Sequence, residues 1–329
     1  MKSNKLSCSI AAIAIFSALT AAAILLSGSF DPVPESIDCV MNVKQLDSST
    51  PGLLTGYHYE LLKNYARDNG VDINIRLADS QENLADSLKS KVIDIAVIPA
   101  SDSAYFGRCR IAHSVDSLVF WAVRPGNERW IQNINTWIDT QTGTEEFNVR
   151  REQFFTKLDP FKRKGGQSFI SPYDTLIKAA ADSLGWDWRM LAALIYQESH
   201  FKLDVKSNRG ATGLMQMMPS SALSMGAGNP VDPQESILAG TGYILKLQKF
   251  FSDVPDEQER IKFILAAYNA GENRIQSCRE YARGKELEGN TWDEIVSLIP
   301  EIEDFKGVET TAHVDAVLST YREFCRICR

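Results

Sequence analysis

Between Trp188 and His200 large apolar side chains recur at three- and four-residue intervals, at Trp188, Leu191, Leu194 and Ile195, and the next place in that stripe is taken by Glu198. Residues spaced this way share one face of a helix. The spacing therefore predicts a helix whose buried side ends on a carboxyl group. Burial and the negative end of the helix dipole both disfavour the ionised carboxylate, so such an acid would keep its proton near neutral pH. That is the property a departing oxygen needs when an acetal is cleaved. Periodicity alone equally fits an amphipathic residue whose stem packs while its head reaches water.

The following segment, Lys206-Ser207-Asn208-Arg209-Gly210-Ala211-Thr212-Gly213-Leu214-Met215-Gln216, narrows the choice. Gly210 and Gly213 permit a tight loop to approach the acid, while Leu214, Met215 and Gln216 offer an apolar wall with one amide, a surface suited to a sugar ring. Further on, Ile261, Ile264, Leu265 and Tyr268 keep helical spacing up to Gly271, where glycine stops the helix. A phenol and an amide, Tyr268 and Asn269, emerge at that helix end.

Glu198-Ser199, Gly213-Leu214-Met215-Gln216 and Ala267-Tyr268-Asn269 stand in the order found in the lytic transglycosylases of the soluble-transglycosylase type, a branch of the goose-type lysozyme superfamily. From about Ile170 onward the chain resembles that family, and three short motifs in one order are specific where one alone would be weak. The resemblance implies a mainly α, lysozyme-like domain that cleaves the β-1,4 bond between N-acetylmuramic acid and N-acetylglucosamine in peptidoglycan without water, leaving a 1,6-anhydro end. No cofactor and no metal is implied. Glu198 would be the single catalytic acid and base, and Tyr268 would orient it. Ser207 would lie near the muramoyl N-acetyl group or the reacting hydroxyl, and Gly213, Leu214, Met215 and Gln216 would form part of the glycan groove. Asn269 falls at the same groove as a hydrogen-bonding residue. Ser207 also reads as a turn residue, and Met215, Met217 and Met218 as core filler.

One element departs from the family pattern. Where the family has Glu-Thr-x-x-Tyr-Val, this chain reads Glu309-Thr310-Thr311-Ala312-His313-Val314, so His313 stands at the groove edge in place of a tyrosine. Glu272 likewise replaces a proline that often follows the Tyr-Asn-Ala-Gly run. Two rival readings remain. A hydrolytic goose-type lysozyme would need a second carboxylate about 6.5–9.5 Å from the first, for which Asp204, Asp232 and Glu235 are candidates. A catalytically silent peptidoglycan-binding or solute-sensing protein is suggested by His313 and opposed by the intact Glu198.

Upstream the pattern changes to alternating strands and helices. Thr55 to Leu62 leads into a helix, Asp72 to Leu77 alternates as a strand, Glu82 to Ser90 is helical, and Val92 to Ile98 is a continuous buried strand, giving two βαβ units. Gly56 to Pro99, Ser117 to Arg124 and the helix from Trp130 to Ile138 are similar to the first lobe of periplasmic solute-binding proteins. The stretch from Ala100 to Asp116 is too short for the second lobe that normally intervenes. The expected architecture is α+β and multidomain. A signal peptide or membrane anchor occupies 1–30, a solute-binding-protein-like α/β lobe 36–159, a linker 160–169 and the lysozyme-like catalytic domain 170–329.

Lys2 and Lys5 precede an apolar run from Ile10 to Leu26, which predicts export, either as a cleaved signal or as an anchor that associates with the membrane. A murein enzyme so exported would act in the periplasm of a bacterial envelope, with glycan strands as its partner. The net charge of −7 excludes a basic nucleic-acid-binding surface. Cys8 lies before the apolar run, badly placed for lipidation. Cys39, Cys109, Cys278, Cys325 and Cys328 remain beyond it, an odd set for an oxidising compartment. Cys39 would open the first strand and Cys109 follow the third, which predicts a disulfide between them if those strands are neighbours. Cys325-Arg326-Ile327-Cys328 has no partner pair to complete a zinc tetrahedron.

Overall fold

The computed structural model describes residues 33–42, 54–78, 82–148 apart from 108, 114, 117, 127 and 146, 170–302 apart from 204, and 307–328. The apolar run from Ile10 to Leu26, Cys8, the linker 160–169 and Asp204 lie outside the described residues. No helix among the described residues is long and apolar enough to cross a membrane.

The first part is one five-stranded sheet. β1 (Ser36–Met41), β2 (Asp72–Leu77), β3 (Ile95–Pro99), β4 (Arg110–Ile111) and β5 (Val119–Val123) lie in the order β2-β1-β3-β5-β4. β1 is parallel to β2 and β3, whereas β5 is antiparallel to β3 and β4. Three helices cover the sheet: α1 (Leu54–Asn69), α2 (Leu84–Lys89) and α3 (Glu128–Thr142). Successive strand side chains point to opposite faces. Ile37, Cys39, Met41, Val97 and Trp121 accordingly pack on one side with Leu62, Tyr65 and Trp130, while Val40, Ala96, Ile98 and Ala122 meet Leu84, Leu88 and Phe106 on the other. Coverage of both faces explains the unbroken apolar run in β3. Polar ties join α1 to α3: Trp130 Nε1 donates to the Tyr65 hydroxyl at 2.9 Å, which donates to Asn133 Oδ1 at 2.6 Å.

Two expectations change. The strand expected from Val92 starts at Ile95, because Lys91 turns with a φ of 60° and Val92 is left 65% exposed. Cys39 and Cys109 do not pair. β1 and β3 are neighbours as expected, but Cys109 leads into β4, which β3 and β5 separate from β1, and the two side chains belong to clusters on opposite faces of the sheet. All five described cysteines are free thiols. From Ala100 to Phe106 the chain makes a 3-10 turn and then enters β4 of the same sheet. Among the described residues the stretch from Ala100 to Asp116 forms no second lobe.

The second part is helical: α4 (Asp174–Leu184), α5 (Trp188–Ser199), α6 (Pro219–Ser224), α7 (Pro233–Phe250), α8 (Glu257–Ala270), α9 (Glu272–Gly284), α10 (Trp292–Leu298) and α11 (Gly307–Ile327). Asp187, Asp232 and Asp256 cap α5, α7 and α8 by accepting from the backbone N–H of Arg189, Glu235 and Glu259. α5 is the central helix. Met190 through Ile195 are all buried, and it packs against α4 and α11, while α8 packs against α7, α9 and α11. Arg279 on α9 is fully buried and pairs with Asp253 while donating to Gly289 O and Asn290 Oδ1.

The two parts share one buried cluster. Asp174, at the start of α4, accepts from the backbone N–H of Ile170 and Ser171, which turns Pro172 and Tyr173 onto α1. There Tyr59 and Tyr173 meet edge to face at 6.3 Å. Gly56 makes the approach possible, since a Cβ at that position would sit 2.5 Å from the Tyr173 hydroxyl and 2.8 Å from Pro172 Cγ. Gly56→Val should therefore cost about 1–3 kcal/mol through overpacking. Urea unfolding should show a lower midpoint with native helix content retained, and an unchanged midpoint would mean that this contact bears no stress.

Candidate active site

Glu198 occupies the last full turn of α5. The helix stops because His200 takes a left-handed conformation at φ 52° and donates its N–H to Tyr196 O, and Phe201 follows with a φ of 62°. Two consecutive non-glycine residues at positive φ make a costly corner, held here by Phe201, which is buried and stacks on Phe324 of α11. The corner leaves the Glu198 side chain 16% exposed. Burial pushes its carboxyl up to about 8, and no neighbouring charge contributes to that rise. Glu198 is thus a carboxylic acid, not a carboxylate, at pH 7.

The glycine loop packs directly beneath this region. Gly213 has a φ of 79°, and a Cβ there would fall 2.0 Å from Pro230 O, so only glycine fits. Met215 N–H donates to Ser236 Oγ on α7, and the Met215 side chain fills the notch above Gly240. Gln216 has a φ of 46° and uses its amide nitrogen on Val205 O and Gly213 O at 2.8 and 2.9 Å. Leu214 and Met215 are fully buried. Their side chains lie inside the protein, Met215 against Gly240 of α7, rather than forming the groove wall expected from the sequence, because the glycine turn folds them inward. Gln216 is only partly buried, and its amide nitrogen closes the loop on itself.

Tyr268 reaches the same loop from α8. Its hydroxyl donates to Met215 O at 2.8 Å. Burial, with Glu198 and Tyr243 adding to it, holds that phenol far above its ordinary range. Tyr268 therefore lies within the field of the acid while its proton is committed to the loop backbone. Asn269 accepts from Thr310 Oγ1 at 3.0 Å and ties α8 to α11. Ser207 Oγ accepts from Ala211 N–H at 3.0 Å, closing the turn that starts the loop.

His313 comes from α11. Its Nε2 lies 3.6 Å from Glu198 Oε1 and has no hydrogen-bond partner. Burial lowers the pKa of the imidazole, with Glu309 on the preceding turn opposing the effect. A raised acid faces a lowered base, so the contact joins two neutral groups and is not an ion pair. Asp232 and Glu235 are engaged elsewhere, Asp232 in capping α7 and Glu235 in accepting from Asn229 N–H at 2.6 Å.

Sequence reasoning missed two contributors. Tyr243 of α7 packs 5.5 Å from the Tyr268 ring and donates to Glu272, which also pairs with Lys246. Glu272, the replacement for a proline, thus fixes the start of α9. Gln197, next to the acid, donates to Thr320 of α11 at 2.7 Å. Tyr243 and Lys246 follow Gly240 at helical spacing, which is the signal that could have placed them on one face with the loop. A cavity of about 450 Å³ is lined by Trp186, Met190, Ile261 and Tyr321. It lies toward the opposite end of α5 from Glu198 and takes no part in this site.

Comparison with known proteins adds a family. The Transglycosylase SLT domain matches residues 175–289. Membrane-bound lytic murein transglycosylase F of Desulfosudis oleivorans is 28% identical over 279 residues, which cover 77% of this chain and 62% of that protein. The protein of the same name from Pseudomonas putida is 28% identical, with 74% of this chain and 54% of the relative covered. This chain thus spans little more than half the length of these curated relatives. Among solved structures, the 70 kDa soluble lytic transglycosylase of Escherichia coli matches 60% of this chain and 30% of its own at 23% identity, with a TM-score of 0.38. Residues 175–289, which hold the acid, the glycine loop and the Tyr268-Asn269 helix end, match the Transglycosylase SLT domain, in a chain that is similar to the membrane-bound lytic murein transglycosylase F proteins.

Proposed function

We propose that the protein is a peptidoglycan lytic transglycosylase that cleaves the bond between N-acetylmuramic acid and N-acetylglucosamine without water and leaves a 1,6-anhydro end. The observation that carries this reading is a single buried carboxyl, Glu198, held protonated at neutral pH with no second carboxylate contributing to its environment. Glu198 gives its proton to the leaving glycosidic oxygen as the bond to the anomeric carbon breaks. The muramoyl O6 then attacks that carbon, and its proton returns to the Glu198 carboxylate, which restores the acid. The hydrolytic alternative needs a free second carboxylate to activate water, and the ties of Asp232 and Glu235 count against both.

In the same reading residues 36–159 form a solute-binding-like lobe, 160–169 a linker and 170–329 the catalytic domain. The five-stranded mixed sheet covered on both faces supports the first of these assignments. A lone lobe leaves a small ligand exposed to water, so this part serves docking or support rather than tight solute capture. Gln216, Asn269 and Ser207 then act on the glycan by shaping the groove, since each has a polar atom engaged in the protein's own framework. The setting is the bacterial cell envelope, with glycan strands as partner.

Mass spectrometry of sacculi digested with the purified protein should find anhydromuramoyl ends. Reducing ends instead would establish the hydrolytic rival. Glu198→Gln should abolish product release while leaving the fold intact, because an amide keeps the shape but cannot donate and recover a proton. Near-normal turnover in that variant would sink the assignment.

Tyr268→Phe should lower turnover less than Glu198→Gln does. It removes one hydrogen bond to Met215 O, worth about 0.5–1.5 kcal/mol, and leaves the acid in place. A loss as complete as that of Glu198→Gln would give Tyr268 a direct chemical role.

The pH dependence has a definite sign. Turnover should fall as pH rises through about 8, where Glu198 loses its proton. The folded carboxyl holds its proton more tightly than the unfolded one, so ionisation opposes folding. Glu198→Gln should therefore gain stability over the unaltered protein as pH rises from the ordinary glutamate range to about 8, and the gap should stay constant above it. Parallel unfolding midpoints across that window would mean that the carboxyl is not buried in solution.

A further inference from the structure

His313 Nε2 is buried, lacks any hydrogen-bond partner and lies 3.6 Å from Glu198 Oε1. An unpaired polar atom in such a place carries a cost, and the distance is too long for a direct hydrogen bond. It suits a third atom. An oxygen about 2.8 Å from both Nε2 and Oε1 would bridge them, and because Nε2 is closed to water in the free protein, substrate has to displace the ring slightly to place it there. We infer that His313 receives the proton of the attacking muramoyl hydroxyl and returns it to Glu198, so that acid and base duties are divided between two residues. This rests on the transglycosylase reading given above.

The steps balance. Glu198 Oε1–H passes its proton to the glycosidic oxygen as the bond from the anomeric carbon to that oxygen breaks, and the departing sugar leaves with a hydroxyl. O6 then bonds to the anomeric carbon while its proton moves to Nε2. The resulting imidazolium passes that proton to the adjacent carboxylate, which restores a neutral acid and a neutral imidazole. No water and no external proton donor is used.

The order of events follows from the electrostatics. Before cleavage His313 faces a neutral acid in a buried setting and is a poor base. Once Glu198 has given up its proton, a carboxylate stands beside the ring and strengthens its hold on a proton. The base is switched on by the first step. The titratable groups that face the ring are Glu198 from α5 and Glu309 on α11 itself, while Tyr268 of α8 lies within the field of Glu198. Tyr268 cannot take this part, because its hydroxyl is bound to Met215 O and its pKa is driven upward.

The test measures anhydro-product formation from sacculi across pH for the full-length protein and for His313→Gln, His313→Ala and Glu198→Gln. The unaltered protein should lose activity on the acid side as the imidazole is protonated. His313→Gln should lower turnover about tenfold to a hundredfold, a general-base effect softened by Glu198 acting alone, and should lack that acid limb. Added imidazole should restore turnover to His313→Ala, a rescue that a purely structural role would not give. Turnover within about twofold in folded His313→Gln with the acid limb intact would overturn the inference, as would absence of imidazole rescue in folded His313→Ala. If Glu198→Gln stays active, the transglycosylase reading itself fails, which is a separate outcome.

Discussion

A carboxyl group withdrawn from water at the end of α5 works against its own ionisation, and the helical part of the molecule is arranged to hold it there. Helix α5 must be buried on nearly every side, which Met190 to Ile195 achieve, and it must stop one residue beyond the acid. The left-handed pair His200 and Phe201 imposes that stop, and the stacking of Phe201 on Phe324 offsets its strain. α11 supplies both Phe324, which pins the corner, and His313, which faces the acid. One helix thus fixes where the acid ends and what it meets.

The loop beside the acid depends on a second chain of contacts. Gly213 lies against Pro230 O, Met215 N–H is held by Ser236, and Met215 O by Tyr268. α7 and α8, distant from the loop in sequence, therefore hold Met215 by its N–H and by its carbonyl. The contacts extend to the sheet-bearing part, since Asp232 and Glu235 at the start of α7 lie near enough to Tyr59 of α1 for their charges to raise its pKa. Burial is the larger cause of that rise, so Tyr59 is a buried phenol within electrostatic reach of the turn of α7 that carries Ser236.

Much of this was legible in the sequence. The stripe ending on Glu198 located the acid because helical period and burial are local consequences of residue order. The glycine at the end of α8 marked a helix end for the same reason. What pattern could not give was direction out of a turn. Leu214 and Met215 follow a glycine whose positive φ folds them inward, and nothing in their identity distinguishes a groove wall from a loop floor. Cys39 and Cys109 failed for a related reason: the face a side chain occupies depends on strand order and register across the sheet, and β5 inserted itself beside β3.

His313 bears the same lesson in chemical terms. In the sequence it is a departure from a family motif, a loss of a hydroxyl. In the structure it brings something a tyrosine lacks, a nitrogen lone pair that accepts a proton in the neutral pH range, next to the one acid that has a proton to give. Burial pushes the two groups in opposite directions, the carboxyl up and the imidazole down. Both effects favour the uncharged pair at rest, and in the proposed reaction the cost of separating charge is met only when the leaving oxygen draws the proton away. On that reading a site built from two neutral partners stays silent until substrate breaks the symmetry between them, which a lone carboxylate exposed to water could not do.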